Sequence, residues 1–269
     1  VKKATVQIPK DLPIVLSKKT DKLPEFQGFP VDHYSYSMFT LACNNPLMFK
    51  IRYVNGDIIE TTTGASAILG SAVHRGLQAY LGGEPDIPTP ADEGEAIKHG
   101  HARGLEYLNN YSEGFIKYTT AIATMQVLLE KYAFCYFGYI KDFNYAKKVK
   151  QTLIVEKALK YRVEVEGQSL PIPLKGIPDF VYEDNEDRVC IEDHKITGKF
   201  SDVEAIDGAK LVQAAFLYFL VYAETGRVPY KMTFREFKHT KNQDGSNQTR
   251  EYTIIYEKEP MIFELFYRF

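Results

Sequence analysis

Apolar residues recur along the chain with two different periods, and these periods separate predicted helices from predicted strands. From Ser66 to Leu81 they are spaced three or four positions apart, which predicts an amphipathic helix that ends at Gly82-Gly83. Similar patterns from Thr119 to Lys141 and from about Ala205 to Thr225 predict two more long helices. Residues 93–109 are polar but compatible with a helix.

The N-terminal residues lack a clear period. Residues 1–32 contain several prolines and are predicted to form an extended arm, followed by a single domain over residues 33–269. Ser35 or Ser37 is expected to cap a short helix, and Pro46 is expected to begin a second one. Val1 in place of a methionine predicts a trimmed start, and residues 263–269 predict a helix that continues further.

A period of two follows the second long helix. Leu153–Glu156, Tyr161–Val165 and two runs around Gly176–Asp179 and Ile191–Lys195 predict consecutive antiparallel strands. After the third long helix, Tyr230 to His239 and Thr249 to Glu257 predict two further strands, and residues 54–63 predict a turn and a strand near the N-terminus. This order of elements favours one α/β domain with a mixed sheet flanked by helices.

Composition and charge exclude several classes of protein. The 269 residues are 45% hydrophobic and 25% charged, with no apolar run that predicts a membrane span and no signal-peptide core at the start. Three scattered cysteines predict neither a disulfide framework nor an iron–sulfur cluster, so we expect a cytoplasmic protein. The net charge of −2 requires any nucleic-acid role to depend on a local basic patch.

The two central strand runs carry the candidate chemistry. Asp193 and Lys195 are two positions apart and therefore share one face of a strand, and a hairpin would bring Asp179 to them. Two carboxylates beside an ammonium suit a hard divalent cation and a lysine that orients or deprotonates a water molecule. On these residues alone, a turn aspartate and a solvated strand face remain open as alternatives.

Gln213 is a second unusual position, because it lies within a strongly apolar helical stretch. An amide buried there without a partner would cost about 1–3 kcal/mol. Gln213 is therefore expected either to face solvent or to have a specific polar partner.

The ordered set of these motifs resembles the RecB-like branch of the PD-(D/E)XK nuclease superfamily. The set comprises Ser35–Phe49, the helix segment Gly70–Gln78, Pro178-Asp179, Asp193-His194-Lys195 and the helix of Gln213. The resemblance implies a restriction-endonuclease-like core, in which a central mixed β-sheet is flanked by helices, with helical N-terminal additions. Asn44 and Asn45 depart from the family pattern, because they separate Cys43 from Pro46.

The resemblance also implies roles for individual residues. The expected metal ligands for magnesium or manganese are His74, Asp179, Asp193 and the backbone carbonyl of His194. The expected catalytic residues are Lys195, Asp179, Asp193 and Gln213, with Glu156 and either Tyr218 or Tyr222 as accessory residues. Cys43 is expected to be structural, because the partner cysteines of an iron–sulfur cluster are missing.

A basic segment over residues 141–162 is a candidate DNA-binding surface. We assign Lys147, Lys148 and Lys150 to it, together with Lys199 after the catalytic triplet, because lysines interleaved with aromatic residues can follow a phosphate backbone. A solvated charged face is the open alternative.

The resemblance implies a metal-dependent deoxyribonuclease, in particular a phage or prophage exonuclease that acts on DNA ends in recombination or repair. DNA is the expected partner, with a single-strand annealing or recombination protein as a second candidate and no membrane. Three alternatives stay open: an inert nuclease-fold module that binds DNA or acts as a scaffold, a CRISPR-adaptation-like nuclease without an iron–sulfur cluster, and a metal site acting on RNA or nucleotides.

Overall fold

A computed structural model describes residues 14–17, 21–57, 63–84, 90, 92–165, 168–201 and 208–258. Most of the predicted extended arm, much of the predicted strand at 54–63, the start of the third long helix at 205–207 and the C-terminal residues 259–269 lie outside the described residues. Within the described residues, no helix is long and apolar enough to cross a membrane.

The N-terminal half is mainly helical. Its elements are β1 (Ile14–Ser17), α1 (Tyr36–Asn44), α2 (Pro46–Phe49), β2 (Thr63–Gly64), α3 (Ala65–Tyr80), α4 (Glu93–Asn109), β3 (Ile116–Lys117), α5 (Met125–Phe143) and α6 (Tyr145–Lys148). A π-helical turn over Lys50–Asn55 extends α2. The predicted cap of α1 is confirmed, because the Ser35 hydroxyl accepts a hydrogen bond from the Met38 backbone N–H.

The C-terminal half contains most of the strands. Its elements are β4 (Gln151–Val155), β5 (Leu159–Val165), β6 (Gln168–Ser169), β7 (Leu174–Gly176), β8 (Phe180–Glu183), β9 (Val189–Thr197), α7 (Gly208–Thr225), β10 (Pro229–Lys238) and β11 (Thr249–Ile255). Helix α7 is followed by Gly226 with φ 68°, a left-handed conformation that glycine adopts without steric cost.

Five strands form the central sheet in the order β11-β10-β9-β8-β4. Strands β8 and β9 are an antiparallel hairpin, whereas β9 and β10 are parallel and are connected through α7. A parallel pair needs such a crossover, which is usually a helix. The predicted mixed sheet flanked by helices is confirmed.

The predicted run of consecutive antiparallel strands is wrong at β5. This strand pairs with β1, β6 and β7 in a separate sheet, and β4 pairs directly with β8. Alternating residues show that a segment is a strand, but they do not show which strand it pairs with. The predicted start of α5 is also wrong, because Thr119 and Ile122 form a turn and Thr124 caps the helix.

Two apolar cores cover the two faces of the central sheet. On one face, residues of α3, α4 and α5 pack against Phe180, Tyr182 and Phe237 of the sheet. On the other face, α7 packs against Val181 and Ile191 and also contacts β5 and β7 of the second sheet. The central sheet is therefore a middle layer whose β8–β9 hairpin is held from both sides.

Candidate active site

The β8–β9 hairpin brings the predicted acids and lysine together. The Lys195 Nζ lies 3.1 Å and 3.0 Å from the two carboxylate oxygens of Asp193, as expected for residues two positions apart on a strand. Across the hairpin, the Asp179 Oδ2 accepts a 2.6 Å hydrogen bond from the backbone N–H of His194. The hairpin thus places Asp179 beside the Asp-x-Lys triplet.

Helix α3 brings His74 to the same point. Its Nε2 lies 2.7 Å from the backbone carbonyl oxygen of His194. Its Nδ1 lies 2.8 Å from the Glu156 Oε1 and 3.7 Å from the Asp179 Oδ1. The imidazole therefore contacts the His194 carbonyl of β9, Glu156 just after β4 and Asp179 just before β8. In sequence, it is 82 positions from Glu156 and 120 positions from His194.

Glu156 reaches this cluster through an unusual backbone conformation. It follows the last residue of β4 with φ 46°, in the left-handed region that costs a residue with a Cβ about 1–2 kcal/mol. Its backbone N–H donates to the carbonyl oxygens of both Pro178 and Asp179, at 3.1 Å each. This turn ties Glu156 directly to the start of β8, where Asp179 lies.

The donor set fits a hard divalent cation. One ligand atom from each of His74, Glu156 and Asp179 lies within 4.8 Å of the other two. Asp193 is outside this group of three, but its buried Oδ2 has no partner with hydrogen-bond geometry, even though Lys195 is near. Carboxylate oxygens and a single imidazole suit magnesium or manganese better than a thiolate-preferring metal.

The electrostatics of the cluster follow from burying several charges together. Burial lowers the pKa of His74, but the charge of Asp179 and the hydrogen bond to Glu156 outweigh it and raise that pKa to about 9. Burial raises the pKa of Asp179 to about 6. For Lys195, burial is outweighed by the charges of Asp193 and Asp179, so its pKa is raised above the usual range.

The helix residues predicted from the resemblance lie in two different environments. Gln213 lies beside the Asp-x-Lys triplet, and its Nε2 donates to the Asp193 Oδ1 at 2.7 Å. Tyr218 instead packs in the apolar core between α7 and the central sheet, with its ring centroid 4.8 Å from that of Tyr256. Tyr222 is half-buried further along the same helix. Tyr218 therefore has the surroundings of a core residue.

Sequence reasoning missed Tyr36, at the first turn of α1. This tyrosine is close enough to Lys195 to affect its pKa, after the larger effects of burial and of Asp193 and Asp179. The only sequence signal for Tyr36 is its position within the Ser35–Phe49 motif.

A buried polar network supports the back of β9. Arg235 of β10 donates to both carboxylate oxygens of Glu192 at 2.6 Å, and the Tyr182 hydroxyl donates to the same carboxylate. Glu192 and Arg235 are only 1% and 3% exposed. The Tyr145 hydroxyl lies 3.3 Å from the His194 Nε2. The network binds the side chains of Glu192 and His194, the two neighbours of Asp193 in sequence. It therefore stabilises β9 from the face opposite Asp193.

The predicted DNA-binding lysines do not form one surface. Lys150 pairs with Glu183 and Asp187 at the end of the β8–β9 hairpin opposite Asp179, and the Lys147 carbonyl oxygen accepts from Asn185 in the hairpin turn. Lys148 points elsewhere, with its Nζ 3.7 Å from a Glu251 carboxylate oxygen of β11. Lys199 is exposed at the other end, four residues after Lys195. Only Lys199 lies at the Lys195 end of the hairpin.

Comparisons with known proteins give one family match and several structural similarities. A family model for the PD-(D/E)XK nuclease superfamily matches residues 33–262. The crystal structure of an alkaline exonuclease (LHK-Exo) from Laribacter hongkongensis is 14% identical, with a TM-score of 0.29, over 76% of this chain and 84% of that one. The crystal structure of SSO0001 is 14% identical, with a TM-score of 0.28, over 74% and 69%. No curated protein matches the sequence.

Proposed function

The chain belongs to the PD-(D/E)XK nuclease superfamily, and we propose that it is a metal-dependent deoxyribonuclease that hydrolyses phosphodiester bonds. One observation carries this proposal. Four groups converge beside the Asp193–Lys195 pair: His74 of α3, Glu156 just after β4, Asp179 just before β8 and the His194 carbonyl of β9. An inert scaffold has no need to bury three ionisable side chains against one another at a cost in desolvation.

The metal would be held by His74, Glu156, Asp179 and the His194 carbonyl, with Asp193 contributing its Oδ2, which also lies 3.0 Å from the Lys195 Nζ. A bound divalent cation supplies charge neutralisation at a phosphate and lowers the pKa of a coordinated water molecule. The imidazole is carried by α3, and the two carboxylates adjoin the ends of β4 and β8. These regular elements keep the ligands in place before substrate arrives.

Lys195 would orient the attacking water molecule and stabilise negative charge that develops on the phosphate. Its ammonium is held by Asp193 and is nevertheless half-exposed, so it can reach a substrate in solvent. Gln213 would act one step further away as a positioning residue, because it fixes the Asp193 Oδ1 from α7. The Oδ1 of Asp193 is then fixed by the amide, while its Oδ2 would be shared between Lys195 and the metal.

Within this superfamily we propose an exonuclease of the phage or prophage type, acting on DNA ends in recombination or repair. The ordered set of RecB-like motifs from Ser35 to Gln213 supports this finer assignment. Magnesium and manganese are both candidate cofactors, because both prefer oxygen-rich sites.

End-labelled linear duplex DNA and a closed circular duplex provide the direct test. Each is incubated with the protein and manganese, magnesium or EDTA, in parallel with Lys195→Ala. We expect metal-dependent loss of the linear DNA alone, absent in the variant, and the position of the label gives the polarity.

The remaining outcomes each redirect the assignment. Cleavage of the circle would make the protein an endonuclease. Full activity of Lys195→Ala would contradict the proposed site. The absence of cleavage together with no manganese-dependent rise in melting temperature would leave a nuclease fold that only binds DNA.

A further inference from the structure

Five cations without acidic partners lie at the end of the central sheet where β9 and β10 finish. We call this group the basic edge, and its members are Lys131, Lys199, Lys238, Lys241 and Arg250. Among the residues that the structure describes, no carboxylate forms an ion pair with any of the five. Unpaired cations on a protein of net charge −2 create a local positive field that the overall composition does not reveal.

Two of the five cations lie on the α5 side of this end of the sheet. The Lys131 Nζ donates to the His239 carbonyl oxygen at 2.8 Å, and the Lys241 Nζ lies 5.2 Å from the Phe134 ring centroid. Lys131 and Phe134 are both on α5, so Lys241 extends the group along that helix.

Phe200 holds two of the cations in place. The Lys238 Nζ lies 4.3 Å from its ring centroid and the Arg250 guanidinium carbon lies 4.6 Å from it. Lys238 also donates to the Gln248 Oε1 and Arg250 to the Ser201 carbonyl oxygen, at 2.9 Å each. Because both cations already lie against the ring, Phe200 orients them and is not an open platform for a base. The remaining donors suit phosphate oxygens, which carry no sequence information.

The strand register places Lys238 and Arg250 on the face of the central sheet that carries Lys195. Glu236 of β10 is in register with Lys195, and Lys238 is in register with Thr197. Lys238 therefore lies on the same face of the sheet as Lys195, about 7 Å further along the strand. A nucleic-acid strand cleaved at Lys195 would pass Lys238 if it continued towards the ends of β9 and β10.

Two lysines of the candidate segment over residues 141–162 are already paired with carboxylates. Lys148 lies 3.7 Å from a Glu251 carboxylate oxygen, and Lys150 lies 2.9 Å from one of Glu183. Paired charges release fewer counterions on binding DNA, since they are already neutralised in the free protein. The density of lysines along the sequence is thus a poor guide to where phosphate binds.

We propose that the basic edge binds the phosphate backbone of the DNA substrate, independently of sequence, on the Lys195 side of the active site. This inference rests on the proposed nuclease function. It replaces the Lys147, Lys148 and Lys150 segment as the main contact, and it retains Lys199.

The test measures binding separately from cleavage. Fluorescence anisotropy of a labelled DNA duplex is recorded in EDTA over a range of salt concentrations, with wild type and with Lys238→Gln/Arg250→Gln. We expect the slope of log K against log salt to fall by about 2 in magnitude, close to one per lost contact. In manganese, the same variant should show a raised KM and a nearly unchanged kcat, because it leaves the metal ligands and Lys195 intact.

Two control variants separate position from net charge. Lys148→Gln/Lys150→Gln changes the net charge equally and should leave the slope and KM unchanged. Lys238→Arg/Arg250→Lys keeps both charges and should retain most of the slope of log K against log salt. Melting temperatures show whether each variant is folded. An unchanged slope in Lys238→Gln/Arg250→Gln, an equal loss in the control, or no DNA binding by wild type would overturn the inference. DNA binding at the basic edge without cleavage in manganese would instead overturn the nuclease function alone.

Discussion

Asp193 has two neighbours that bind the same side chain in different ways. The Gln213 amide fixes Oδ1 at 2.7 Å, while the Lys195 ammonium lies near both oxygens. An amide donor constrains the orientation of the carboxylate without adding a second positive charge to that of Lys195. We therefore propose that Gln213, in an apolar stretch of α7, is a positioning residue for Asp193.

We predict that Gln213→Ala lowers kcat about 10–100-fold, the usual effect of removing a residue that orients a metal ligand. The cause is greater freedom of Asp193, so the manganese concentration needed for half-maximal activity should also rise. Steady-state cleavage at several manganese concentrations measures both. Gln126→Ala, on the exposed side of α5 beside Glu130, is the matched control and should change neither quantity. Unchanged kinetics in Gln213→Ala would assign the glutamine to packing alone.

Glu156 allows a separation of backbone strain from metal binding. Glu156→Ala and Glu156→Gly both remove the carboxylate, but only alanine keeps a Cβ at φ 46°. We predict that the glycine variant is more stable than the alanine variant by about 1 kcal/mol, because relief of left-handed strain exceeds the entropic cost of glycine. Both variants should lose most of the manganese-dependent rise in melting temperature. Chemical denaturation in EDTA and melting curves with manganese provide the two measurements, and equal stabilities would contradict the strain argument.

The residues of the site differ in how far sequence could predict them. Asp193 and Lys195 were predictable because two positions on a strand share a face, which is a local rule. Glu156 could be predicted only from its place in the family pattern, just before the motif hairpin. The direction of its side chain depends on a left-handed turn that is hydrogen-bonded to Pro178 and Asp179. The pairing of Lys150 with Glu183 was invisible because it joins residues 33 positions apart.

At the scale of elements, glycines allow α3 and α4 to approach each other closely and leave space for two tyrosines of α5. The Tyr136 and Tyr132 hydroxyls donate to the backbone carbonyl oxygens of Ile97 and His101 on α4. Tyr136 passes beside Gly100 to do so, and a Cβ at Gly100 would also lie 2.6 Å from the Gly76 carbonyl oxygen. Because α3 carries His74, this packing sets the distance of the imidazole from the sheet.

We predict that Gly100→Ala destabilises the protein by about 1–3 kcal/mol, the usual cost of overpacking, even though alanine favours a helix. A backbone carbonyl cannot move aside as a flexible side chain can, so α3 and α4 must separate. Gly70→Ala is the matched control in α3, because a Cβ there meets nothing within 4 Å. It should stabilise by about 0.5–1 kcal/mol. Urea denaturation measures both, and a stabilised Gly100→Ala would contradict the packing argument.

Element type was easier to predict than element pairing. Periodicity identified α3, α5, α7 and most strands, because each pattern is local. It could not show that β5 leaves the central sheet, since the choice of partner depends on segments as distant as β1. The order of helix, hairpin, helix and strand nevertheless specified the mixed sheet, because the α7 crossover makes β9 and β10 parallel.

At the scale of the whole molecule, the end of the hairpin opposite the site holds several segments together. Glu183 ends β8, and its carboxylate lies 2.9 Å from the Lys150 Nζ, just before β4, and also binds Arg227, just after α7. These segments belong to the central sheet and to the connection from α7 to β10. Protonation of Glu183 at low pH should therefore lower the free energy of unfolding without changing the proposed metal ligands.

We predict that this contribution to stability is lost in acid. Hydrogen bonds from Lys150 and Arg227 lower the pKa of Glu183 to about 2, from a usual value of 4.5. A depressed pKa stabilises the folded state above the unfolded pKa, and that stabilisation disappears as pH falls through the folded value. Glu183→Gln should thus lower the free energy of unfolding at about pH 6, and its difference from wild type should shrink between about pH 4.5 and pH 2. Urea denaturation across this range measures the difference, with Glu106→Gln, a glutamate on the exposed side of α4, as control. A difference that stays constant with pH would show that Glu183 acts through packing and not through its charge.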